Sequence, residues 1–171
     1  ELFTEEIFLK SLRVTFQYCA MTIPINMVLS LATAMLLNGD LPYSGILRTI
    51  YYMPCVVSSV AAALLWSYIF NYRFGLVNQL LSLIGVQGPN WLGDERWSLI
   101  ALAIMSLWGI GGGIVIYLAG LQNIDYSVYE ASYIDGATPF QQFLKITVPL
   151  LKPTILLTAI MSTSGTLQLF D

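Results

Sequence analysis

Four stretches of this chain run without a single charged side chain: Val14 to Asn38, Thr49 to Tyr72, Trp97 to Ile124 and Pro153 to Phe170. A helix that crosses the hydrocarbon of a bilayer needs about 20 largely apolar residues at 1.5 Å rise each. In lipid the backbone must satisfy its own polar groups, which makes runs of this length helices. The expected fold is therefore all-α, a polytopic transmembrane helical bundle solvated mainly by the lipid bilayer. Composition agrees: 57% of residues are hydrophobic and 10% charged, against roughly a quarter charged in soluble domains, and the mean hydropathy is +0.73. The seven basic and ten acidic residues fall almost entirely between the runs, so the low pI of about 4.7 reflects scarce charge rather than an acidic surface. No basic patch is present to hold a nucleic acid.

A fifth uncharged stretch, Phe74 to Gly93, is interrupted by Asn78, Gln79, Gly85, Gln87, Gly88, Pro89 and Asn90. Its Leu76, Leu80, Leu83 and Ile84 recur at helical spacing, which suits a segment lying at the membrane interface rather than spanning it. Pro24 sits inside the first run, where it removes a backbone hydrogen bond and can kink a helix. Gly109, Gly111, Gly112 and Gly113 sit inside the third, at about 1 kcal/mol each relative to alanine in a helix interior. Two reasons for them stay open: close helix packing through Gly109-x-x-x-Gly113, or space beside a translocation path. Trp91 and Trp97 bracket the polar Asp94-Glu95-Arg96 and suit aromatic anchoring at one interface. Lys and Arg do not orient the chain: Arg48, Lys145 and Lys152 fall on one side, Lys10, Arg13, Arg73 and Arg96 on the other.

The absence of histidine removes His-based catalysis and His-containing zinc sites. The only Lys followed by Ser or Thr is Lys10-Ser11, preceded by Leu9 where a P-loop needs glycine. Any ATP hydrolysis must therefore come from another chain, and no pattern calls for a metal or cofactor. Cys19 and Cys55 lie inside apolar runs without C-x-x-C spacing and read as small core residues. Glu1 to Lys10 holds three glutamates and no positively charged start, unlike a signal peptide.

Between the third and fourth runs, residues 125–149 carry the local chemistry of an elbow made from two short helices. Ser127 and Glu130 have capping-box spacing for the first, and Gly136 is placed to end it in a left-handed conformation. Thr138 is placed to cap the second, with Pro139 at its first position and Gln141 three residues on. Tyr126, Tyr129 and Tyr133 share one face of the first helix, with Glu130 beside them. That face suits docking into a partner's groove, or packing on its own span ends. An elbow held between two spans is mechanically suited to pass a partner's movement to the bundle as a rigid-body rotation.

Here the chain resembles a known family. Glu130-Ala131-Ser132, then Gly136, then Ile146-Thr147-Val148-Pro149 is similar to the EAA signature of ABC importer permeases, E-A-A, three residues, G, nine residues, I-x-L-P. The spacing is intact; Ser132 replaces Ala, Val148 replaces Leu, and Asp125 stands where many members have proline. The sugar-permease branch, maltose and glycerol-phosphate transporters included, is resembled further by Tyr129 through Ala137, Gln142-Phe143 and Ile146 through Pro153. Tyr52-Met53-Pro54, Trp66, Gly75 through Asn78, Trp91-Leu92 and Ala119 through Ile124 extend the likeness over essentially the whole chain.

The resemblance implies that residues 1–171 are one transmembrane permease domain core, the four-span centre of a longer chain, with 125–149 as its cytoplasmic coupling segment. It implies a multi-pass protein of a bacterial or archaeal plasma membrane, not itself an enzyme. Its partners would be a cytoplasmic ABC ATPase subunit, a second related permease subunit and an extracytoplasmic solute-binding protein. Tyr129, Glu130, Ala131, Ser132, Tyr133, Asp135 and Gly136 become the expected ATPase contacts, with Glu130 making a charge-assisted contact, Asp135 a second polar contact or a cap, and Gly136 setting the elbow angle. A sugar needs hydroxyl partners together with an aromatic or glycine-lined face, which makes Ser58, Ser59, Trp108, Gly109, Gly112, Ser162 and Thr166 the candidate pathway residues; Ser162 and Thr166 share a helix face. Another small solute, such as glycerol phosphate, a polyol, an amino acid or a polyamine, is the alternative cargo. No span interior carries Lys or Arg, which leans toward a neutral one. A secondary transporter or membrane enzyme would place acids, bases or metal ligands within the spans, and these contain none.

Overall fold

The computed structural model describes residues 6–39 and 44–168, and among them all regular structure is helical. In order these are α1 (Glu6–Asn38), α2 (Ser44–Val56), α3 (Ser59–Ile69), α4 (Leu76–Leu83), α5 (Glu95–Leu107), α6 (Gly111–Gln122), α7 (Tyr126–Ile134), α8 (Pro139–Gln142), a π-helical segment (Phe143–Thr147), α9 (Val148–Leu150) and α10 (Lys152–Leu167). Among the described residues one helix, Phe8–Asn38, is long and apolar enough to cross a membrane by itself, and up to four spans result if each bent pair counts as one. The chain divides into two compact units, one formed by Glu1–Tyr51 with Ile110–Asp171 and the other by Tyr52–Gly109.

The first apolar run lies within α1, which continues through Pro24 without interruption. The second differs from the expected continuous span. It is broken between Val56 and Ser59, where the chain turns by 98°. Pro54 donates no backbone hydrogen bond, Val56 and Val57 are β-branched, and Ser58 adopts an extended ψ of 137° as the N-cap of α3. The third run is likewise two helices, α5 and α6, interrupted at 108–110. The fourth forms α10, entered through a 65° bend after Leu150. Its expected end at Phe170 lies outside the described residues.

In the larger unit α1, α6 and α10 pack together around Ala34, Leu37, Ile114, Tyr117 and Leu151, all buried. Lipid tails are as apolar as leucine, so association rests on close approach and hydrogen bonds rather than on escape from water. Both are present. A Cβ added at Gly113 would lie 2.7 Å from Ser30 Oγ, and one at Gly120 would lie 2.7 Å from Thr154 Oγ1 and 2.9 Å from Leu151 Cδ2. Ser30 Oγ donates to the Ile110 carbonyl at 3.3 Å, and the Tyr117 and Thr158 hydroxyls are 2.8 Å apart. Arg48 donates from its guanidinium to the Leu37 carbonyl at 3.2 Å, a cation at the C-terminal turn of α1 where the helix dipole favours it.

The smaller unit has an aromatic centre. Phe70 stacks on Trp66 with ring centroids 5.4 Å apart and meets Trp91 at 5.5 Å. Trp91 meets Trp97 edge to face at 5.3 Å. The two tryptophans expected to anchor a membrane interface thus pack on each other. Trp91 is buried, and its indole N–H donates to Asn78 Oδ1 at 2.7 Å because a buried indole needs an acceptor. Asn78 Nδ2 donates in turn to the Tyr72 and Pro89 carbonyls at 3.1 and 3.2 Å. The α4 helix ends at Gly85, φ 78°, and exposes Leu76, Leu80, Leu83 and Ile84 together. Cys19 is buried, but Cys55 is exposed rather than core.

Candidate functional site: the elbow between α6 and α10

The elbow starts slightly earlier than its expected cap. Asp125, not Ser127, is the N-cap of α7, its carboxylate accepting from the Ser127 backbone N–H at 2.9 Å. The expected Ser127–Glu130 capping box is absent because Ser127 already lies inside the helix. That backbone hydrogen bond, with a second from the Ser127 side chain, holds the Asp125 carboxyl below its ordinary value of 3.8.

The C-terminus of α7 is a Schellman turn. Gly136 has φ 77°, its N–H donates to the Tyr133 carbonyl and the Ala137 N–H donates to the Ser132 carbonyl, both at 3.0 Å. Thr138 then caps α8 through a complete capping box: the Gln141 N–H donates to Thr138 Oγ1 at 3.3 Å and the Thr138 N–H to Gln141 Oε1 at 2.9 Å, with Pro139 opening the helix. The second arm is longer than a short helix. It continues through the π-helical segment and α9 to Leu150, the widened turn falling just before Pro149, whose missing N–H leaves the Lys145 carbonyl without its usual helical donor.

The two arms are tied across the bend. The Tyr129 hydroxyl is 2.9 Å from Thr147 Oγ1, and Thr147 is buried. Gln142 Nε2 donates to Ser132 Oγ at 2.9 Å and reaches the Tyr129 carbonyl at 3.4 Å. Ser132 Oγ donates to that same carbonyl at 2.8 Å. Beside these ties, and sharing Tyr129 and Gln142 with them, is an open groove of about 660 Å³ lined by Asn38, Tyr126, Tyr129, Glu130, Tyr133, Ile134 and Gln142. Tyr126, Tyr133 and Ile134 are 72%, 78% and 84% exposed, far more than three large side chains packed on their own span ends would be. Glu130 and Asp135 are exposed too, and neither carboxylate has a hydrogen bond or ion pair among the described residues. Ala131 is exposed on the same short helix, and Gly136 has no atom within 4 Å of where a Cβ would sit.

The candidate pathway residues are dispersed between the two units. Ser58, Ser59, Trp108 and Gly109 belong to the smaller, and Gly112, Ser162 and Thr166 to the larger. Ser58 and Ser59 are exposed at the break between α2 and α3. Trp108 packs edge to face on Trp66 at 5.9 Å. Thr166 Oγ1 donates to the Ser162 carbonyl at 2.7 Å, which sets both on one face and spends the threonine hydroxyl on its own helix. Gly109 meets only the Ser106 carbonyl at 3.7 Å and Gly112 meets nothing, whereas Gly111 is buried and Gly113 packs against Ser30. Gln142 and Thr147 were not among the expected site residues. They stand 10 to 18 residues from their partners, and no linear spacing announces them.

The family described as binding-protein-dependent transport system inner membrane component matches residues 26–171. The chain belongs to this family. A curated relative, the lactose transport system permease protein LacF of Rhizobium radiobacter, is 41% identical over 174 residues covering 99% of this chain and 58% of that protein. The trehalose/maltose transport system permease protein MalF of Thermococcus litoralis is 37% identical over 92% of this chain and 54% of its own length. The chain thus spans a little over half the length of these permeases. Among solved structures, a bacterial ABC transporter involved in the import of the acidic polysaccharide alginate superposes with a TM-score of 0.88 at 26% identity, covering 98% of this chain and 59% of that one. The alginate transporter in complex with an alginate pentasaccharide-bound periplasmic protein gives 0.86 at 27% identity over 94% and 57%. In this member of the permease family, the Glu130 and Gly136 of the sequence signature both fall on the elbow.

Proposed function

We propose that this chain is the membrane-spanning permease part of an ATP-driven importer for a sugar. An extracytoplasmic binding protein delivers the solute, a second related permease completes the path, and a separate cytoplasmic ATPase supplies the work. The observation that carries the reading is the Tyr126, Glu130, Tyr133, Ile134 face. It is largely apolar, exposed, marked by one carboxylate and mounted on an elbow between α6 and α10. Burying a side chain of the size of Ile134 in a partner is worth about 1.5–3 kcal/mol, and a charge-assisted hydrogen bond to Glu130 would fix its register. Residues 125–149 are then the cytoplasmic coupling segment, with Ser132 turned toward the elbow's inside, Tyr129 shared between that inside and the groove, and Glu130, Tyr133 and Asp135 toward the ATPase.

Closure of the ATPase around α7 would move the elbow as a body and turn α10 with it. A sugar is the cargo favoured here because the named relatives carry lactose, trehalose, maltose and alginate. Ser58, Ser59, Trp108, Gly109, Gly112, Ser162 and Thr166 remain the proposed solute contacts. The test is co-purification of the complete membrane complex with its ATPase, comparing wild type with Glu130→Ala and Gly136→Pro. Retention by wild type and loss from both variants supports the reading, and equal retention by all three overturns the role of the elbow.

A further inference from the structure

The ties inside the elbow do something that the coupling face alone cannot. Its hinge, Gly136, stands in open space with φ 77°, and no atom lies within 4 Å of where a Cβ would be. The backbone turn supplies direction but no side-chain stop against bending. The resistance comes from across the bend: Gln142 Nε2 on Ser132 Oγ at 2.9 Å, and the Tyr129 hydroxyl on Oγ1 of buried Thr147 at 2.9 Å. We infer that Gln142, Ser132 and Thr147 are positioning residues that lock α7 to the arm leading into α10, so that a displacement of α7 reaches α10 instead of being absorbed as flexing at Gly136.

This rests on the proposed coupling role and deepens it. Ser132 stands where the family signature has alanine, which has no side-chain group for the Gln142 amide. The serine hydroxyl accepts from Gln142 and donates to the Tyr129 carbonyl at 2.8 Å, so it is used inside the elbow both as acceptor and as donor. Thr147 belongs to the π-helical segment, and its hydroxyl is presented to Tyr129 from the widened turn. Gln142 and Tyr129 also line the outer groove, whereas Ser132 and Thr147 do not, so Ser132 and Thr147 are the positions at which locking is separated from touching a partner.

Two measurements on the purified complete complex test the lock. The first is the spread of distances between spin labels at Val128→Cys and Phe140→Cys, both exposed, in a Cys55→Ser background. Wild type and Thr147→Ser should give one narrow distribution, and Thr147→Val, Gln142→Leu and Ser132→Ala broader ones. The second is solute moved per ATP hydrolysed. Loss of one net hydrogen bond is expected to lower it about two- to tenfold in Thr147→Val and Gln142→Leu, with ATPase retention kept at the wild-type level in Thr147→Val, whose side chain is buried away from the groove, and with coupling kept by Thr147→Ser. Ser132→Ala and Gln142→Leu should be non-additive, since they remove the same bond. Unchanged distance distributions in all three variants would overturn the lock, as would loss of ATPase retention in Thr147→Val equal to that of Glu130→Ala. If wild type itself retains no ATPase, the coupling role fails while the distance measurement still decides whether the elbow is locked.

Discussion

At the scale of single residues, adjacent glycines have opposite fates. Gly112 faces open space, whereas Gly113 lies where a methyl group would approach Ser30 Oγ to 2.7 Å. Gly113→Ala is expected to cost about 1–3 kcal/mol through overpacking, and Gly112→Ala to be neutral or to stabilise by up to about 1 kcal/mol through helix propensity. Thermal unfolding of the detergent-solubilised protein checks both, and Ser30→Gly should relieve the Gly113→Ala defect. Asp125 provides a pH test. Its carboxyl is held below 3.8 by the Ser127 N–H, so the cap is fully formed above that value and is lost as pH falls through the lower folded one. Carboxyl-carbon NMR should find its titration below 3.8, and Ser127→Pro, which removes the donor N–H, should bring it back toward 3.8. Gly136 and Thr138 are legible in the sequence because each acts on backbone within three residues. The cap at Asp125 is not, because Ser127 is an equally good cap by type and only the chain's path chooses between them.

At the scale of elements, residues that look like interruptions hold the smaller unit together. Asn78 breaks an apolar stretch in the sequence, yet it receives the Trp91 indole and ties down the Tyr72 and Pro89 carbonyls. Asn78→Leu should leave the buried Trp91 N–H unpaired at a cost of about 1–3 kcal/mol. All four tryptophans, Trp66, Trp91, Trp97 and Trp108, lie within Tyr52–Gly109. Tryptophan-selective fluorescence of this sequence therefore reports on that unit, and the variant should show greater acrylamide quenching without loss of total helix by circular dichroism. The helical character of the apolar runs is readable from length and composition. Their breaks after Val56 and Leu107 are not, since hydropathy is blind to backbone direction and a proline, as Pro24 in uninterrupted α1 shows, does not by itself stop a helix.

At the scale of the whole molecule, the elbow is legible because its caps, hinge and signature are local, whereas the proposed pathway is not. Apolar spans carry almost no amphipathic asymmetry, so nothing in the sequence tells a lining serine or threonine from one that bonds to its own helix, as Thr166 does. Membership in the permease family and the exposed α7 face together make ATP-driven transport the central claim. It is tested most directly by ATP hydrolysis in proteoliposomes holding the complete complex, with and without the sugar-loaded binding protein. The expected result is hydrolysis stimulated by the loaded binding protein in wild type, with the stimulation abolished by Glu130→Ala. Stimulation that persists undiminished in Glu130→Ala, or sugar uptake that proceeds with no ATPase present, would contradict it.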